Sequence, residues 1–281
     1  MKEFAHFRHI AKAVASYAAM LLIAGFLMAP FVWMVLVALH PPKSPIPAID
    51  ELWPVKPDFG NFGRVLTNPH LPVARFFLNS VVVAGAVVVG QLAVSACAAY
   101  AFARLRFAGR GILFAAFLGS MMIGGAATQI PVYLMLRSFG WLDTYAALIV
   151  PGLSSAFSVF LLRQAFSTVP AELGEAARLD GAGEMRILAG IFVPLSRAAV
   201  ATCATFTFIG VWTDFFGPLI YTNSISMRTV EVGLSIYKNA YGGTNWPLQM
   251  SAAVIVMAPL LLVFLIGQRY FVRGITLGSI K

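Results

Sequence analysis

The amino-acid sequence predicts an all-α, polytopic membrane protein with six transmembrane helices. Its 281 residues are 59% hydrophobic and only 11% charged, whereas soluble domains carry about 25% charged residues. The hydrophobic residues fall into runs close to the roughly 20 residues that a helix needs to cross a bilayer. Most charged residues lie between these runs. By length alone the chain would hold one or two soluble domains, but its composition predicts a single transmembrane domain over residues 1–281.

Six apolar runs meet this length, and they are residues 14–39, 79–103, 111–136, 144–165, 198–222 and 249–272. The first run follows Lys2, Arg8 and Lys12, as the apolar part of a signal peptide would. It is longer than the roughly 7–15 apolar residues of a signal peptide, so we expect an uncleaved first span. Pro30 within it predicts a kink, which neighbouring helices can accommodate.

Proline and glycine predict where the helices are interrupted. Residues 40–75 are rich in proline, which excludes a long helix and favours an external loop. Gly119, the Gly124-Gly125 pair and Pro131 predict a bend near the outer end of the third span. The second span carries small residues that allow close helix packing, namely Gly85, Gly90, Ser95, Ala96, Ala98 and Ala99.

Residues 169–195 form the only long segment between apolar runs that mixes charge with helix-forming residues. Pro170 suits the first turn of a helix, because its missing N–H would be unpaired there. Glu172 and Glu175 follow near the positive end of the helix dipole. A small apolar face is expected from Leu173, Ala176 and Ala177, which fall at helical spacing.

The Asp180-Gly181 pair is expected to end this first helix, since glycine accepts the left-handed conformation after a helix. A second short helix is predicted from Glu184 until Pro194 stops it. Its apolar stripe is expected to consist of Met185, Leu188, Ala189 and Phe192. Two short helices at an angle would make a knob that fits the cleft of a partner.

The spacing in this segment resembles the EAA loop of permeases from ATP-binding-cassette (ABC) importers. The family pattern is EAA-x3-G-x9-I-x-L-P, matched here by Glu175-Ala176-Ala177, Gly181, Ile191 and Pro194, with Val193 in place of leucine. The resemblance implies the type I importer permease fold and the binding-protein-dependent transport (MetI-like) family. It implies that 169–195 is a cytoplasmic coupling loop docking on an ATPase subunit. The implied contact residues are Glu172, Glu175, Ala176, Ala177, Asp180, Gly181, Ile191 and Pro194.

Further matches place the resemblance in the carbohydrate-uptake branch of the family. They include Asn79-Ser80 and Trp212-Thr213-Asp214-Phe215, where Thr213 replaces the usual asparagine. The ending of the chain is similar to the branch pattern Gly-Leu-Thr-x-Gly-x-x-Lys. In that branch the cytoplasmic tail, here 274–281, reaches between two ATPase subunits, which implies contacts from Gly278, Ser279 and Lys281.

The resemblance implies a set of partners and a mechanism. The partners are a second homologous permease, two ATPase subunits, an external substrate-binding protein and the lipid bilayer. ATP and Mg²⁺ would sit on the ATPase subunits, with no cofactor in this chain. The cargo would be a sugar or oligosaccharide, an acidic one included, moved by alternating access. Glycerol phosphate is the alternative cargo within the family.

The sequence itself favours a transport subunit over an enzyme. It contains no phosphate-binding G-x-x-x-x-G-K-[ST] loop and no zinc-hydrolase or nucleophile-elbow motif, so no catalytic residue is assigned. His6, His9, His40 and His70 are scattered, so no metal site is expected. Cys97 and Cys203 lie in apolar runs and predict no disulfide. The net charge of +9 lacks the basic stripe with aromatics that would indicate nucleic-acid binding.

Asp214 is the only acidic residue within a predicted span. A charge at the centre of a membrane helix costs about 2.5–3.5 kcal/mol on insertion scales, so such residues usually face a cavity or a partner helix. One hypothesis is that Asp214, Thr213 and Trp212 border the substrate path. The other is that Asp214 packs a helix interface or lies near the outer headgroups. Gln91 and Gln129 are expected to form hydrogen bonds between helices.

The distribution of lysine and arginine predicts both termini on the cytoplasmic side of a bacterial inner membrane. With the 169–195 loop inside, 13 basic residues lie inside and 7 outside. An ion-coupled secondary transporter is the alternative, and it predicts internal repeats and a midplane charge pair, neither of which is evident. A structural subunit without a pathway is a second alternative, against which a polar lining across several helices would argue.

Overall fold

A computed structural model describes residues 2–42, 44–68, 71–240 and 245–276, which contain helices and no strand. The helices group into two compact units. One combines Met1–Pro69 with Ile236–Ile255, and the other combines His70–Ser235 with Val256–Lys281. The predicted all-α fold is confirmed.

The α-helices in the described ranges are α1 Lys2–Ala38, α2 Gly60–Leu66, α3 Val73–Arg104, α4 Arg110–Gly119, α5 Gly125–Ser138, α6 Tyr145–Ile149, α7 Ala156–Thr168, α8 Ala171–Leu179, α9 Glu184–Ile187, α10 Val193–Leu195, α11 Arg197–Trp212, α12 Phe216–Tyr221, α13 Val230–Ala240 and α14 Trp246–Thr276. Short 3-10 helices occur at Ile49–Glu51, Ser120–Met122, Val150–Leu153 and Ile225–Met227, and a π-helical turn at Leu188–Phe192.

By length and composition, three of these helices can cross a membrane, at Val14–Ala38, Val73–Arg104 and Trp246–Arg269. Three more spans arise if each of three bent helix pairs counts as one, which gives the predicted six. The first helix continues through Pro30. The second span begins at Val73, six residues before the predicted start, because the proline-rich segment ends at Pro72.

The third span bends at the glycine pair, in the middle of the predicted run rather than near its outer end. Its two halves meet at an angle of 102°. Ile123 and Gly124 have extended backbones between the halves, with ψ of 113° and 138°. Pro131 instead lies inside α5. The bend is therefore set by the glycine pair rather than by the proline.

The fifth predicted run, 198–222, is not one continuous helix. Helix α11 ends at Trp212, and α12 begins at Phe216 after a short break. The Asp214 carboxylate accepts a hydrogen bond of 3.2 Å from the Gly217 N–H, as a helix-capping residue does. Pro218 then occupies the start of α12, where a missing N–H costs little. Hydropathy alone does not reveal such a break.

Helix α3 forms the centre of the larger unit and packs against α7 and α11. Two glycines permit a close approach of α3 to the 3-10 helix Val150–Leu153 as well. A β-carbon on Gly90 would collide with the Leu153 side chain, and one on Gly152 would lie 2.9 Å from Val87. Of the small residues predicted to allow close packing of the second span, Gly90 does so against Leu153, whereas nothing lies within 4 Å of a β-carbon added to Gly85.

In the smaller unit, the segment after α1 is held by a buried amide. The Asn61 Nδ2 group donates to the carbonyls of Ala38 and His40, at 2.8 and 2.7 Å. The Ser251 hydroxyl also donates to the Ala38 carbonyl, at 3.1 Å. The proline-rich loop thus contains a short helix, α2, whose buried asparagine ties it to the end of α1.

Candidate functional site

The 169–195 segment folds as a short helix closed by a glycine turn. Helix α8 ends at Leu179, and Gly181 has the left-handed φ of +83° that the sequence predicts. The Gly181 N–H donates to the Arg178 carbonyl at 3.0 Å, and the Ala182 N–H donates to the Ala177 carbonyl at 2.9 Å. This pair of bonds is the Schellman motif. It reverses the chain within three residues.

The second half of the segment differs from the predicted α-helix. After α9, residues Leu188–Phe192 form a π-helical turn, which widens the helix. Leu188 and Phe192 are buried as predicted, but Ile187 joins them, whereas Met185 and Ala189 are exposed. The physical reason for this correction is that Ile187, Leu188 and Phe192 form the face that packs against the hydrophobic core. The chain then turns by 86° at Ser196, after Pro194.

The inner face of the loop packs into the main hydrophobic core. Ile187, Leu188 and Phe192 join a cluster with residues of α3, α7 and α11. The Phe192 ring contacts the rings of Tyr100 and Phe166, with centroids 5.1 and 5.8 Å apart. Any displacement of this loop must therefore move or strain the helix ends that contact it.

A polar network ties the two halves of the loop to the end of α3. The Arg178 guanidinium donates to both carboxylate oxygens of Glu184, at 2.7 and 3.0 Å. The Tyr100 hydroxyl donates to the same carboxylate at 2.5 Å. The hydrogen bonds from Arg178 and Tyr100 hold the pKa of Glu184 below its usual value. The pKa of Arg178 is raised in turn by its bond to Glu184.

Arg104 fixes the junction between α7 and the loop. Its Nη2 donates to the carbonyl of Phe166 at 2.5 Å and to that of Val169. Its guanidinium lies 5.0 Å from the centroid of the Phe192 ring. These contacts place a cation at the C-terminus of α7, where the helix dipole favours it.

The outer face of the loop is exposed. Exposed residues of the predicted contact set are Glu172, Glu175, Ala176, Asp180, Gly181 and Pro194, whereas Ala177 and Ile191 are half-buried against the core. Leu179 and Met185 are also exposed, by 90% and 67%. These two apolar side chains were not among the residues predicted for this face. The exposure of Leu179 could have been predicted from its position directly before the Asp180-Gly181 turn.

A cavity of about 710 Å³ separates α8 from the turn between α3 and α4. Four arginines and two glutamates contribute to its lining, namely Arg104, Arg106, Arg110, Arg178, Glu175 and Glu184. Arg110 donates to the Leu105 carbonyl at 3.2 Å, which orients it within the turn. This end of the bundle is therefore basic.

The three residues predicted to border a substrate path occupy different environments. Trp212 is 1% exposed, and its indole N–H donates to the Val256 carbonyl at 3.0 Å. Thr213 is exposed and donates to the Ile209 carbonyl at 2.8 Å. Asp214 lines a cavity of about 220 Å³. The structure brings Asp214 to a cavity and places the Trp212 ring in the core, away from that cavity.

The rim of the Asp214 cavity is held in place by Asn79 and Ser80. In the sequence these two residues stood out only because they match the carbohydrate-uptake branch of the family. The Asn79 amide donates to the carbonyls of Ser226 and Arg228, at 2.8 and 2.9 Å. The Ser80 hydroxyl accepts the Val230 N–H at 2.9 Å. These bonds hold the segment after α12 against the start of α3.

Asp143 provides a second fixed point for the same segment. It has a left-handed φ of 62°, and its carboxylate accepts bonds from the N–H groups of Asn223 and Ser224 and from the Ser224 hydroxyl. The bond from the Ser224 hydroxyl is the main cause of a pKa for Asp143 below its usual value. No local sequence pattern predicts these hydrogen bonds between residues about 80 positions apart.

Two remaining expectations concern metal binding and the tail. In the part of the chain that the structure describes, no three His, Cys, Asp or Glu side chains form a group that could hold a metal ion.

The tail residues Gly278, Ser279 and Lys281 lie outside the described residues, and α14 continues to Thr276. The roles assigned to the tail therefore stay predictions.

Comparison with known proteins identifies the family. The model of the binding-protein-dependent transport system inner membrane component matches residues 10–277. The chain belongs to this family. It is a permease subunit of an ABC importer, as the EAA-type spacing predicts.

Two of three relatives that are similar to this permease have a cargo in their names. The trehalose/maltose transport system permease protein MalG of Thermococcus litoralis is 32% identical, over 93% of this chain and 96% of its own. The sn-glycerol-3-phosphate transport system permease protein UgpE of Brucella abortus is 37% identical, over 77% and 76%. The probable ABC transporter permease protein YurM of Bacillus subtilis is 31% identical, over 90% and 83%.

A solved structure has the same fold. It is the crystal structure of a bacterial ABC transporter involved in the import of the acidic polysaccharide alginate. The matching chain has a TM-score of 0.77 and 24% identity, with 92% of this permease and 96% of that chain covered. The likeness confirms the predicted type of importer fold.

Proposed function

We propose that this permease imports a sugar or oligosaccharide, driven by ATP hydrolysis on partner subunits. The observation that carries the proposal is the two-faced geometry of the 169–195 loop. Its outer face is exposed for docking, while Ile187, Leu188 and Phe192 on its inner face pack into the helix core. The name of the trehalose/maltose relative supports carbohydrate transport.

The loop couples the ATPase to the bundle as follows. Glu172, Glu175 and Asp180 on the outer face contact the ATPase subunit. When the ATPase dimer closes, the loop moves with it. The ring contacts of Phe192 with Tyr100 and Phe166, and the Arg178–Glu184–Tyr100 network, pass this movement to α3 and α7. The bundle then alternates between outward-facing and inward-facing states.

The complete importer contains a second permease, two ATPase subunits and an external substrate-binding protein. ATP and Mg²⁺ bind the ATPase subunits, and this chain takes part in no nucleic-acid binding. The tail, through Gly278, Ser279 and Lys281, contacts the ATPase pair. The excess of basic residues on one side supports an inner-membrane location with both termini in the cytoplasm.

The substrate path passes Asp214 and Thr213. The buried Trp212 side chain holds these two residues in place through its hydrogen bond to the Val256 carbonyl. Asp214 at a cavity supports this over a purely structural role. A carboxylate accepts hydrogen bonds from sugar hydroxyls. Glycerol phosphate is the second candidate cargo, which the name of the UgpE relative supports.

The test is ATP-driven uptake by the assembled importer in proteoliposomes with its binding protein. The labelled cargoes are trehalose, maltose, sn-glycerol 3-phosphate and an alginate oligosaccharide. Glu175→Lys should abolish uptake and weaken retention of the ATPase. Asp50→Lys makes the same charge change at an exposed position far along the chain, and it should leave uptake unchanged. Normal uptake by the Glu175→Lys variant would show that the 169–195 loop does not couple the ATPase to transport.

A further inference from the structure

Two cavities adjoin inside the larger unit and share part of their lining. The first, of about 220 Å³, is the Asp214 cavity. The second, of about 300 Å³, lies between α7 and α11. Gly152 and Val211 line both. The two cavities therefore adjoin at these two residues. We name the pair of adjoining cavities the polar track.

The side chains of the polar track carry hydroxyl and amide groups. In the first cavity these are Ser80, Gln129, Tyr221 and Thr229, and in the second they are Gln91, Ser154, Ser155, Ser158 and Thr207. Within the described lining there is no lysine, arginine or histidine, and Asp214 is the only carboxylate. Hydroxyl and amide groups donate and accept hydrogen bonds without a net charge.

Gln91 holds the wall of the polar track in place. Its amide donates to the Gly152 carbonyl at 2.9 Å, and its carbonyl oxygen accepts the hydroxyls of Ser158 and Thr207. This one side chain therefore fixes three elements around the second cavity. Ser154 and Gly210 are exposed beside it, so the second cavity opens on the face of this subunit.

No cation is among the lining residues of the polar track that the structure describes. Arg228 directly precedes the lining residue Thr229 in the chain but does not itself contribute to the lining. Four further arginines line the separate cavity under the coupling loop. A phosphate or carboxylate cargo in the polar track would meet the Asp214 carboxylate without a lining cation from the described part of this subunit. Like charges brought together away from bulk water repel strongly.

We infer that the polar track of this permease carries an uncharged polyol, such as a neutral saccharide, and disfavours a phosphorylated or carboxylated cargo. The inference rests on the proposed import function and narrows its substrate class. Hydroxyl-rich cargo would exchange hydrogen bonds along Gln129, Ser154 and Ser155. Asp214 would accept hydroxyl donors at the first cavity and repel anions there.

The test measures the charge preference of the polar track by cysteine labelling in the assembled importer. Cys97 and Cys203 are first replaced by alanine. Ser155→Cys then reports on the second cavity. Thr67→Cys, exposed in the other unit, is the matched control. The reagents are methanethiosulfonates that carry a trimethylammonium group, a sulfonate group or a neutral glucosyl group.

At Ser155→Cys, the neutral and cationic reagents should react about tenfold faster than the sulfonate, which is the effect of one charge about 12 Å away at an effective dielectric constant of about 20. Thr67→Cys should show a much smaller preference, and Asp214→Asn should reduce the preference at Ser155→Cys. Equal or faster reaction of the sulfonate would overturn the inference.

The same preparation separates this inference from the proposed function. ATPase activity stimulated by the binding protein reports whether the complex works as an importer. If that stimulation is present but no reagent reaches Ser155→Cys, the polar track is not the path and the inference fails alone. If the wild-type complex, without any cysteine substitution, shows neither stimulation nor ATP-driven uptake, the proposed import function fails.

Discussion

At the scale of single residues, Gly181 is the position where coupling should be most sensitive. Its φ of +83° is strained for a β-branched residue, although no atom stands within 4 Å of the added β-carbon. Gly181→Val should cost about 1–3 kcal/mol locally. That is enough to displace the turn but not to prevent membrane insertion. We expect normal amounts of permease, reduced co-purification of the ATPase and sharply reduced uptake.

The control for Gly181→Val is Gly183→Val in the same loop. Gly183 has an ordinary extended backbone, with φ of −72° and ψ of 159°, and equally open space. It should retain the ATPase and transport. Equal defects in both variants would mean that bulk, rather than backbone conformation, is the sensitive property.

Glu184 gives the loop a defined dependence on pH. Its folded pKa is depressed by Arg178 and Tyr100, so its stabilising contribution is present above the unfolded pKa of about 4.3. That contribution is lost as the pH falls through the lower, folded pKa. Amide exchange of residues 171–187 should therefore stay slow from pH 7 to about 5 and accelerate only in stronger acid.

The variant that checks this is Glu184→Gln, which should exchange faster already at pH 7, measured by mass spectrometry and corrected for intrinsic rates. Glu172→Gln changes an exposed carboxyl on the same loop and should match the wild type. Identical exchange in all three proteins would show that the network does not hold the loop.

The residues of this loop show what sequence reasoning can reach. The turn at Gly181 was predictable, because an Asp-Gly pair after a helical stretch has a local cause. The exposure of Met185 was not predictable, since it depends on which side of this segment packs against the core that α3, α7 and α11 form. Asp143 binds residues about 80 positions away, and no local pattern encodes that.

At the scale of helices, Gln91 was predicted to bond between helices, and the structure confirms it. Gln91→Leu removes bonds to Gly152, Ser158 and Thr207 at once. Such bonds contribute about 0.6 kcal/mol each on average in membrane proteins. We expect a loss of about 1–2 kcal/mol, seen as a lower melting temperature of the detergent-solubilised complex. Gln164→Leu, an exposed position on α7, should melt like the wild type.

The number of spans was predictable, but their interruptions were not. Hydropathy counts apolar residues and found six runs, since a bilayer imposes that length. Hydropathy does not predict that Asp214 caps a new helix. It also does not predict that the third span turns by 102° at Gly124. Breaks of this kind depend on which backbone groups find partners in the folded bundle.

At the scale of the whole molecule, the chain without its partners should hydrolyse no ATP. The sequence has no phosphate-binding loop, and coupling requires an ATPase on the exposed face of the 169–195 loop. The purified permease should release no phosphate above a protein-free control, whereas the assembled importer should. Sustained ATP hydrolysis by the permease alone would contradict this expectation if mutation of this chain abolished it. It would show that the permease, and not only its partner subunits, hydrolyses ATP.

The orientation of the molecule is the last property that the charge distribution predicts. With the coupling loop inside, the 13 inner lysines and arginines face 7 outer ones, of which four share the long loop between the first two spans. All of these loops are shorter than about 60 residues, so their lysines and arginines all count toward the bias that sets the orientation. A green fluorescent protein fused after Lys281 should therefore fluoresce in cells. Alkaline phosphatase should be inactive at that point and active when inserted after Val55, an exposed position of the long loop. Active phosphatase at the C-terminus would place the tail outside and separate it from any cytoplasmic ATPase.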